Sequence, residues 1–372
     1  MSDPSLWEQI RGHDQTVGLL RGVIDKDRPA HAYLFYGPRG IGKTKTAMAF
    51  AAALNCVSAC GVCPSCRSIQ AHTHPDFHFV EPEGQQTIMR RQIVDLLKVV
   101  HLKRRPGGYK VVVVDEAQEL GPEAANTLLK TLEEPPEGVV FILVASNIDR
   151  VLATIASRCQ RVAFSALDSA VVGDILIADY KIDADKAKLA AALTRGMVGE
   201  AIELAAGGLL DMRPELLKVM TATAGDASAP TLLAENLIAI AKKRTSKVKK
   251  AQETELAELI AFVEGSTHAA GIKKRVSANQ KRELARLEHR FYRQVLLLAA
   301  ALYRDLLLIS ENVDKRFLAN SDMAPLMESV SATPRQVRAG LAHIEETGRR
   351  LARNVGPLLA FENLFFALGD VA

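Results

Sequence analysis

Residues 37–44 constrain the fold of this chain more than any other stretch. They match the pattern G-x-x-x-x-G-K-[ST] in full, as Gly37, Pro38, Arg39, Gly40, Ile41, Gly42, Lys43 and Thr44. The apolar run 33–36 predicts a buried strand that enters this loop, and residues 45–51 predict a helix that leaves it, which is the context the pattern requires. Backbone N–H groups of such a loop surround phosphate oxygens, and the helix N-terminus adds partial positive charge. The stretch therefore predicts a phosphate-binding loop.

A second stretch, residues 111–116, complements this loop. Four valines precede Asp115 and Glu116, as expected for a central parallel strand with functional groups at its carboxyl end. In a nucleotide site, Lys43 would reach the β- and γ-phosphates of ATP while Thr44 and Asp115 hold Mg²⁺. Glu116 is then expected to polarise a water molecule. The alternative is a chance glycine-rich loop beside an unrelated strand, but both parts have the flanking elements that a nucleotide site requires.

The rest of the chain changes from mixed to wholly helical structure. The apolar run 139–145 predicts another central strand, and Ser146 after it is placed to sense a γ-phosphate or to orient a water. Strand patterns end near residue 164, residues 168–206 read as a small helical domain, and the pattern from about residue 211 onwards is helical throughout. The sequence thus predicts an α/β part followed by an all-α part.

Cysteine spacing predicts a structural metal site. Four of the five cysteines lie within eleven positions, in the order Cys56, Cys60, Cys63 and Cys66. Four thiolates this close can surround one tetrahedral Zn²⁺, and they leave no open position for an activated water. Buried structural cysteines at a coincidental spacing are the alternative interpretation. A secreted disulfide framework does not fit this pattern.

Composition sets the broad class. A chain of 372 residues with 48% hydrophobic content suits two or three well-filled domains, and a net charge of +4 is too small to indicate a nucleic-acid binder by itself. The first ten residues do not resemble a signal peptide, and the apolar segment 295–309 is interrupted by Arg304 and Asp305. We therefore expect a cytoplasmic protein with no membrane partner.

At this point the motifs resemble a known family. The phosphate-binding loop, the four-cysteine insertion, and residues 115–118, 126–136 and 157–159 closely resemble bacterial clamp-loader subunits, the AAA+ proteins of DNA polymerase III. The resemblance implies a RecA-like αβα P-loop NTPase domain with its parallel sheet at residues 1–165, including a zinc module at 56–66. It further implies a helical lid at 166–210 and a C-terminal helical collar at 211–372, which joins subunits into a ring.

Two types within this family are distinguished in the lid. Motor subunits of the gamma/tau type carry a glycine–serine–x–arginine–aspartate–alanine signature, whose arginine touches the nucleotide phosphates. The matching residues here are 196–201, and Gly199 stands where that arginine should be, as in the delta prime type. Residues 124–126 also favour delta prime. The complete phosphate-binding loop is a departure, because some delta prime subunits have degenerate loops.

The delta prime resemblance implies a function for Arg158. In this family the arginine of a Ser-Arg-Cys motif points into the ATP site of a neighbouring subunit, where it stabilises the transferred phosphoryl group as an arginine finger. The partners implied are gamma/tau and delta subunits in a heteropentameric ring, the sliding clamp, and primed DNA reached through the complex. ATP binding is expected, with ATPase activity of the chain's own site weak or absent.

Two other functions remain as alternatives. One is an ATP-hydrolysing gamma/tau-type motor of the same complex, which Lys43, Thr44, Asp115 and Glu116 support and Gly199 opposes. The other is an independent zinc-containing DNA-binding ATPase, which the modest net charge and the lack of a recognisable DNA-reading module oppose. The basic run 242–250 can contact DNA or a partner, or can be a solvated helix face.

Overall fold

The computed structural model describes residues 5–56, 58–82, 87–104, 106–220, 228–263, 269–353 and 355–369. The chain divides into two compact units, Met1–Lys181 with Thr194–Ala201, and Ile182–Leu193 with Ile202–Ala372. The division into three domains at residues 165 and 210 stays a prediction.

The first unit contains a five-stranded parallel sheet. Its strands, in chain order, are β1 (Ala32–Tyr36), β2 (Phe77–Val80), β3 (Lys110–Val114), β4 (Val139–Ala145) and β5 (Gln160–Ala163). Their order across the sheet is β2-β3-β4-β1-β5, and every pairing is parallel. The predicted strands at 33–36, 111–114 and 139–145 are confirmed. Since all strands run the same way, the residues that follow β1, β3 and β4 lie at one edge of the sheet.

Helices cover both faces of this sheet. They are α1 (Asp14–Asp25), α2 (Lys43–Ala53), α3 (Pro64–Gln70), α4 (Arg90–Val100), α5 (Pro122–Glu133) and α6 (Ala153–Ala156), and a further helix, α7 (Ser169–Tyr180), follows the last strand. Alternate strand residues enter two separate cores: Val111 and Val113 pack with Phe50 of α2, whereas Val112 packs with Leu128 of α5. This arrangement is the predicted αβα sandwich, and it explains why the central strands are apolar on both faces.

After β5, the regular elements that the structure describes are all helices. The remaining helices are α8 (Ala184–Thr194), α9 (Val198–Ala206), α10 (Arg213–Met220), α11 (Ala229–Val263), α12 (Ala269–Ser310), α13 (Ala324–Glu328), α14 (Pro334–Ala352) and α15 (Pro357–Gly369). In the second unit, α12 packs against α11 and α14, and α15 packs against both of these. No strand follows Ala163 within the described ranges, as predicted. Among the helices described, none has the length and apolar character that crossing a membrane requires.

A buried polar network stabilises the second unit. Arg213 is 6% exposed and donates two hydrogen bonds to the carboxylate of Asp322, at 3.0 and 2.7 Å, and one to Asn320 Oδ1 at 2.9 Å. Asn320 in turn donates its backbone and side-chain N–H groups to Asp305 Oδ2 at 2.7 and 2.8 Å. The Arg213 guanidinium holds the pKa of Asp322 below its usual range. Because a buried cation costs free energy unless it is paired, this bidentate contact keeps Arg213 satisfied.

The basic run 242–250 lies within α11, and its arginine packs against the second unit itself. The Arg244 guanidinium lies 4.7 Å from the ring centroid of Phe291 and donates to the Gly207 carbonyl. Burial lowers the pKa of Arg244. Lys242 and Lys243 are exposed, whereas the side chain of Lys247 lies outside the described residues. The arginine of this run therefore has a packing role.

Candidate nucleotide site and metal centre

The loop between β1 and α2 has the conformation that its glycines predict. Gly37, Gly40 and Gly42 have φ values of 145°, 74° and 99°, a region that residues with a Cβ rarely adopt. A Cβ on Gly37 would also lie 2.0 Å from the carbonyl oxygen of Phe164, which follows β5. Gly42 caps α2, so Lys43 is the first residue of that helix. The first glycine is therefore required both by its backbone angle and by the close approach of β5.

Lys43 is buried at the bottom of the loop. Its Nζ donates hydrogen bonds to the carbonyl oxygens of Gly37 at 2.8 Å and Pro38 at 2.5 Å. Burial lowers the pKa of Lys43, while the negative charges of Glu116 and Asp115 act in the opposite direction. The ammonium is thus held inside the loop, where phosphate oxygens are expected.

Asp115 and Thr44, which the sequence predicts to hold Mg²⁺, lie side by side. Thr44 Oγ1 donates to Asp115 Oδ2 at 3.1 Å, although 71 residues separate the two in the chain. Burial raises the pKa of Asp115, and the neighbouring charge of Glu116 also raises it. A hydroxyl and a carboxylate side by side are oxygen ligands of the kind that Mg²⁺ takes.

Glu116 has a left-handed backbone and a side chain surrounded by donors. Its φ is 51°, an uncommon value for a residue with a Cβ that often marks functional sites. Its carboxylate pairs with Arg39 Nη2 at 3.3 Å, accepts a hydrogen bond from Gln118 Nε2, and lies 3.4 Å from Ser146 Oγ. The sequence pattern predicted Glu116, Arg39 and Ser146 as site residues but assigned no role to Gln118.

Most of the predicted residues line one cavity of about 230 Å³. Its lining consists of Arg39, Gly40, Gly42, Lys43, Thr44, Lys45, Asp115, Glu116, Val144 and Ser146. Ile41 is buried and does not line this cavity. Its carbonyl oxygen accepts a 2.7 Å hydrogen bond from Nε2 of the buried His13. The donor set fits a magnesium–nucleotide phosphate group, because loop N–H groups and cations lie beside the Thr44–Asp115 pair. His13 was also missed, since a lone histidine before a helix gives no signal for a contact 28 residues away.

Gly199, in the segment predicted to form the lid, contacts this loop through its backbone. Its N–H donates to the Gly40 carbonyl at 2.8 Å, and a Cβ built on Gly199 would lie 3.4 Å from Gly40 Cα. The position predicted to lack a phosphate-binding arginine therefore lies directly against the phosphate-binding loop.

Arg158 lies outside the described lining of this cavity. It follows α6, and its side chain is 36% exposed. Its guanidinium donates to Glu133 Oε1 at 2.6 Å and to the Thr154 carbonyl at 2.9 Å. The charged end of Arg158 is thus held at the surface by a carboxylate of α5. Next to it, burial raises the pKa of Cys159 to about 12, so this thiol stays protonated and packs in the core.

The four cysteines of residues 56–66 form one cluster. Their sulfur atoms all lie within 4.8 Å of one another, and Cys66 is buried while the other three are partly buried. Cys60 Sγ accepts from the Cys63 N–H and Cys63 Sγ accepts from the Cys66 N–H, both at 3.4 Å. Tetrahedral zinc with Zn–S bonds of about 2.3 Å requires sulfurs about 3.8 Å apart. The cluster therefore fits one zinc ion with no position left for water.

The thiols of this cluster differ in acidity. Burial acts to raise the pKa of Cys56, but hydrogen bonds from the Cys60 backbone, Ser58 and the other thiols outweigh it and lower the pKa to about 6. Burial raises the pKa of Cys66. Thiols that interact this closely lose their protons in coupled steps, and zinc binding would require all four to be deprotonated.

Known proteins resemble the first unit of the chain. Residues 12–168 match the family model described as "DNA polymerase III, delta subunit". The delta' subunit of Bacillus subtilis DNA polymerase III is 36% identical over 53% of this chain and 61% of that protein. The delta' subunit of Pseudomonas aeruginosa is 40% identical over 43% of this chain and 46% of its own length. The tau subunit of Bacillus subtilis is 36% identical over 46% of this chain and 31% of its own length.

The chain thus matches between about a third and three fifths of the length of these relatives. The matched region contains the sheet, the phosphate-binding loop and the cysteine cluster. The family model and two of these three relatives carry delta-type names. Through residues 12–168, the chain is similar to the DNA polymerase III clamp-loader subunits of the delta prime and tau/gamma type, and delta prime is the better supported of the two.

Proposed function

We propose that this chain is a stator-like delta prime subunit of a clamp loader, and that it donates Arg158 to the ATP site of a neighbouring subunit. The observation that carries the proposal is the placement of Arg158, which lies outside the lining of its own phosphate cavity and is held at the surface by Glu133. A surface arginine in this position is accessible to a phosphoryl group on another molecule. Such a finger stabilises charge that develops in the transition state.

Within its own site, the chain is proposed to bind Mg-ATP. Lys43 and the loop N–H groups would hold the phosphates, and Thr44 and Asp115 would hold the Mg²⁺ ion, which would neutralise phosphate charge when bound. Glu116 is the candidate for orienting a water. Gly199 contacts Gly40 through its backbone and supplies no guanidinium. This site would therefore have one phosphate ligand fewer than the site of a motor subunit.

The cysteine cluster is proposed to hold a structural zinc ion. Cys63 caps α3, and the N–H of Leu6 donates to the Ala59 carbonyl at 2.9 Å inside the cysteine loop. Zinc binding would therefore fix both the start of α3 and the contact with the N-terminal segment. This role contributes folding free energy and no catalytic group.

The proposed assembly is a heteropentameric ring with gamma/tau and delta subunits. Within it, the chain would contribute to ATP-dependent loading of a sliding clamp onto primed DNA during replication. In this proposal, the second unit would supply the collar through α11, α12, α14 and α15. The proposed assembly rests on the similarity of residues 12–168 to these subunits, because the family model does not extend across the second unit.

A gamma/tau-type motor is the second candidate function. The observation that favours it is the complete set of Lys43, Thr44, Asp115, Glu116 and Ser146 around one cavity. Reconstitution with tau/gamma and delta subunits from the same organism tests the two functions together. A stator is required for clamp loading but adds little hydrolysis of its own, whereas a motor sustains ATP hydrolysis when it replaces tau/gamma. Loading that proceeds equally well without this chain would contradict both.

A further inference from the structure

Gln118 contacts two residues of the phosphate cavity but is not part of its described lining. It lies in a 3₁₀ turn directly after Glu116 and is 8% exposed. Its Nε2 donates to Glu116 Oε2 and, at 2.9 Å, to Ser146 Oγ. Its Oε1 accepts the backbone N–H of Ser146 at 3.0 Å. One buried amide therefore joins the residue after β3 to the residue after β4.

The orientation of this amide is fixed by its partners. The backbone N–H of Ser146 can only donate, so the amide atom that faces it must be the oxygen. The two N–H groups of Nε2 then point to Glu116 Oε2 and Ser146 Oγ, which are both acceptors. The full hydrogen-bonding capacity of the Gln118 amide nitrogen is used on these two residues.

This contact also decides what the Ser146 hydroxyl can do. Because Ser146 Oγ accepts from Gln118, its own O–H is left to donate. In the structure that hydrogen is directed towards Glu116 Oε2, at a long 3.4 Å. A hydroxyl that donates through such a weak contact is poised to donate to a stronger anion in the cavity, such as a terminal phosphate.

We propose that Gln118 is a positioning residue that holds Ser146 as a hydrogen-bond donor and couples it to Glu116, so that a γ-phosphate bound at Ser146 alters the contacts of the carboxylate. When Ser146 donates to the phosphate, Glu116 loses its contact with the serine but keeps Gln118 and Arg39. The inference rests on the proposed nucleotide site. It predicts that Gln118 affects the preference for a triphosphate over a diphosphate, and not the binding of the nucleotide as such.

The test is calorimetric titration of the full chain with Mg-ADP and with a Mg-bound, non-hydrolysable β,γ-imido ATP analogue. Gln118→Met keeps the side-chain length but removes every hydrogen bond. We expect it to reduce the triphosphate preference by about tenfold, as for one hydrogen bond to a charged group, with Mg-ADP affinity within about twofold of wild type. Ser146→Ala should give the same loss, and the double variant should add little to either. Gln160→Ala, an exposed glutamine in β5, is the matched control.

Gln118→Glu is a second, independent test of the triphosphate preference. It has the same shape but places a carboxylate against Glu116, so the loss of triphosphate preference should exceed that of Gln118→Met. An unchanged preference in both Gln118 variants, or an equal loss of Mg-ADP and triphosphate affinity, would overturn the inference and leave the proposed site intact. A wild-type chain that binds neither nucleotide would overturn the proposed ATP site and this inference together.

Discussion

The backbone N–H of Gly199 donates a 2.8 Å hydrogen bond to the carbonyl oxygen of Gly40 in the phosphate-binding loop. The backbone of Gly199 therefore meets the backbone of the loop, at the position where motor subunits of the resembled family carry an arginine. Because Gly199 has no side chain, position 199 contributes only this backbone contact. It offers no cation to a bound phosphate.

The isolated chain is expected to hydrolyse ATP very slowly. Position 199 supplies no guanidinium, and a single chain has no neighbour to donate a finger, which in related NTPases is worth about 10³–10⁵ in rate. Steady-state ATPase assays with and without primed DNA check this expectation. Robust hydrolysis stimulated by DNA in the isolated protein would favour the motor function instead.

Gly37→Ala should impair both folding and nucleotide binding. Alanine at this position would have to adopt a φ of 145°, and its Cβ would lie 2.0 Å from the Phe164 carbonyl oxygen. We therefore expect the free energy of unfolding to fall by more than about 1 kcal/mol. Gly199→Ala is the matched control, because its Cβ would meet Gly40 at an ordinary 3.4 Å. Denaturant unfolding and nucleotide titration measure both effects. Equal behaviour of the two variants would contradict the geometry.

Removal of zinc should destabilise the first unit without removing a catalytic group. Purified protein is expected to contain about one zinc ion per chain, and chelation or Cys63→Ser should lower the melting temperature by at least about 4 °C. Cys159→Ser is the control, because this buried cysteine lies outside the cluster. Metal analysis and thermal unfolding provide the measurements. Freshly purified protein without zinc, and with unchanged melting after chelation, would refute the metal centre.

Arg158→Ala and Lys43→Ala should have opposite effects in a reconstituted complex. Arg158→Ala leaves this chain's cavity intact, so it should preserve its own nucleotide binding but slow hydrolysis in an adjacent wild-type motor subunit by about a hundredfold or more. Lys43→Ala should weaken nucleotide binding at this chain's own site and leave the donated finger in place. Clamp loading and ATPase assays compare the two. Loading that survives Arg158→Ala but fails with Lys43→Ala would identify a motor.

The Arg213–Asp322 pair predicts a pH-dependent contribution to stability. Arg213 holds the pKa of Asp322 below its ordinary value of 3.8, so the ionised carboxylate stabilises the native state above that pH. The contribution is lost as the pH falls through the lower, folded-state pKa. Since the Asp322 side chain is 55% exposed, we expect a difference of about 1 kcal/mol or less.

Asp322→Asn tests this pair by chemical unfolding between pH 7 and pH 3. The difference from wild type should be largest at pH 7 and should shrink as the pH falls. Asp211→Asn is the control, because its ion pair with Lys186 is exposed on both sides. A difference between wild type and Asp322→Asn that grows towards low pH would contradict the assigned sign.

The sequence predicted the sheet and the phosphate-binding loop because their signals are local. Four consecutive valines are buried on both faces only in a central parallel strand, and β3 is such a strand, paired with β2 and β4. The pattern of glycines in residues 37–44 likewise reflects backbone angles that few other residues adopt. Once all strands are parallel, Asp115 and Ser146 must follow neighbouring strands at the same edge.

The contacts of Gln118 and Arg158 could not be predicted in the same way. Gln118 meets Ser146 across 28 positions, and this contact depends on the register of β3 against β4 and on the turn that Glu116 begins. The partner of Arg158 is 25 positions away on α5. Side-chain pairs of this kind follow from tertiary packing and leave no periodic pattern in the chain.

The contact between Arg158 and Glu133 has a consequence for assembly. Because the guanidinium already holds a carboxylate at 2.6 Å, a neighbouring subunit's nucleotide in the proposed ring would compete with that carboxylate for the arginine. Binding of Arg158 to that nucleotide would then be an exchange of counterions. The singly charged Glu133 carboxylate would be replaced by the more highly charged phosphates of the neighbour's nucleotide. In the proposed ring, such an exchange would favour a neighbour loaded with a triphosphate over an empty one, and it would release Glu133 to water.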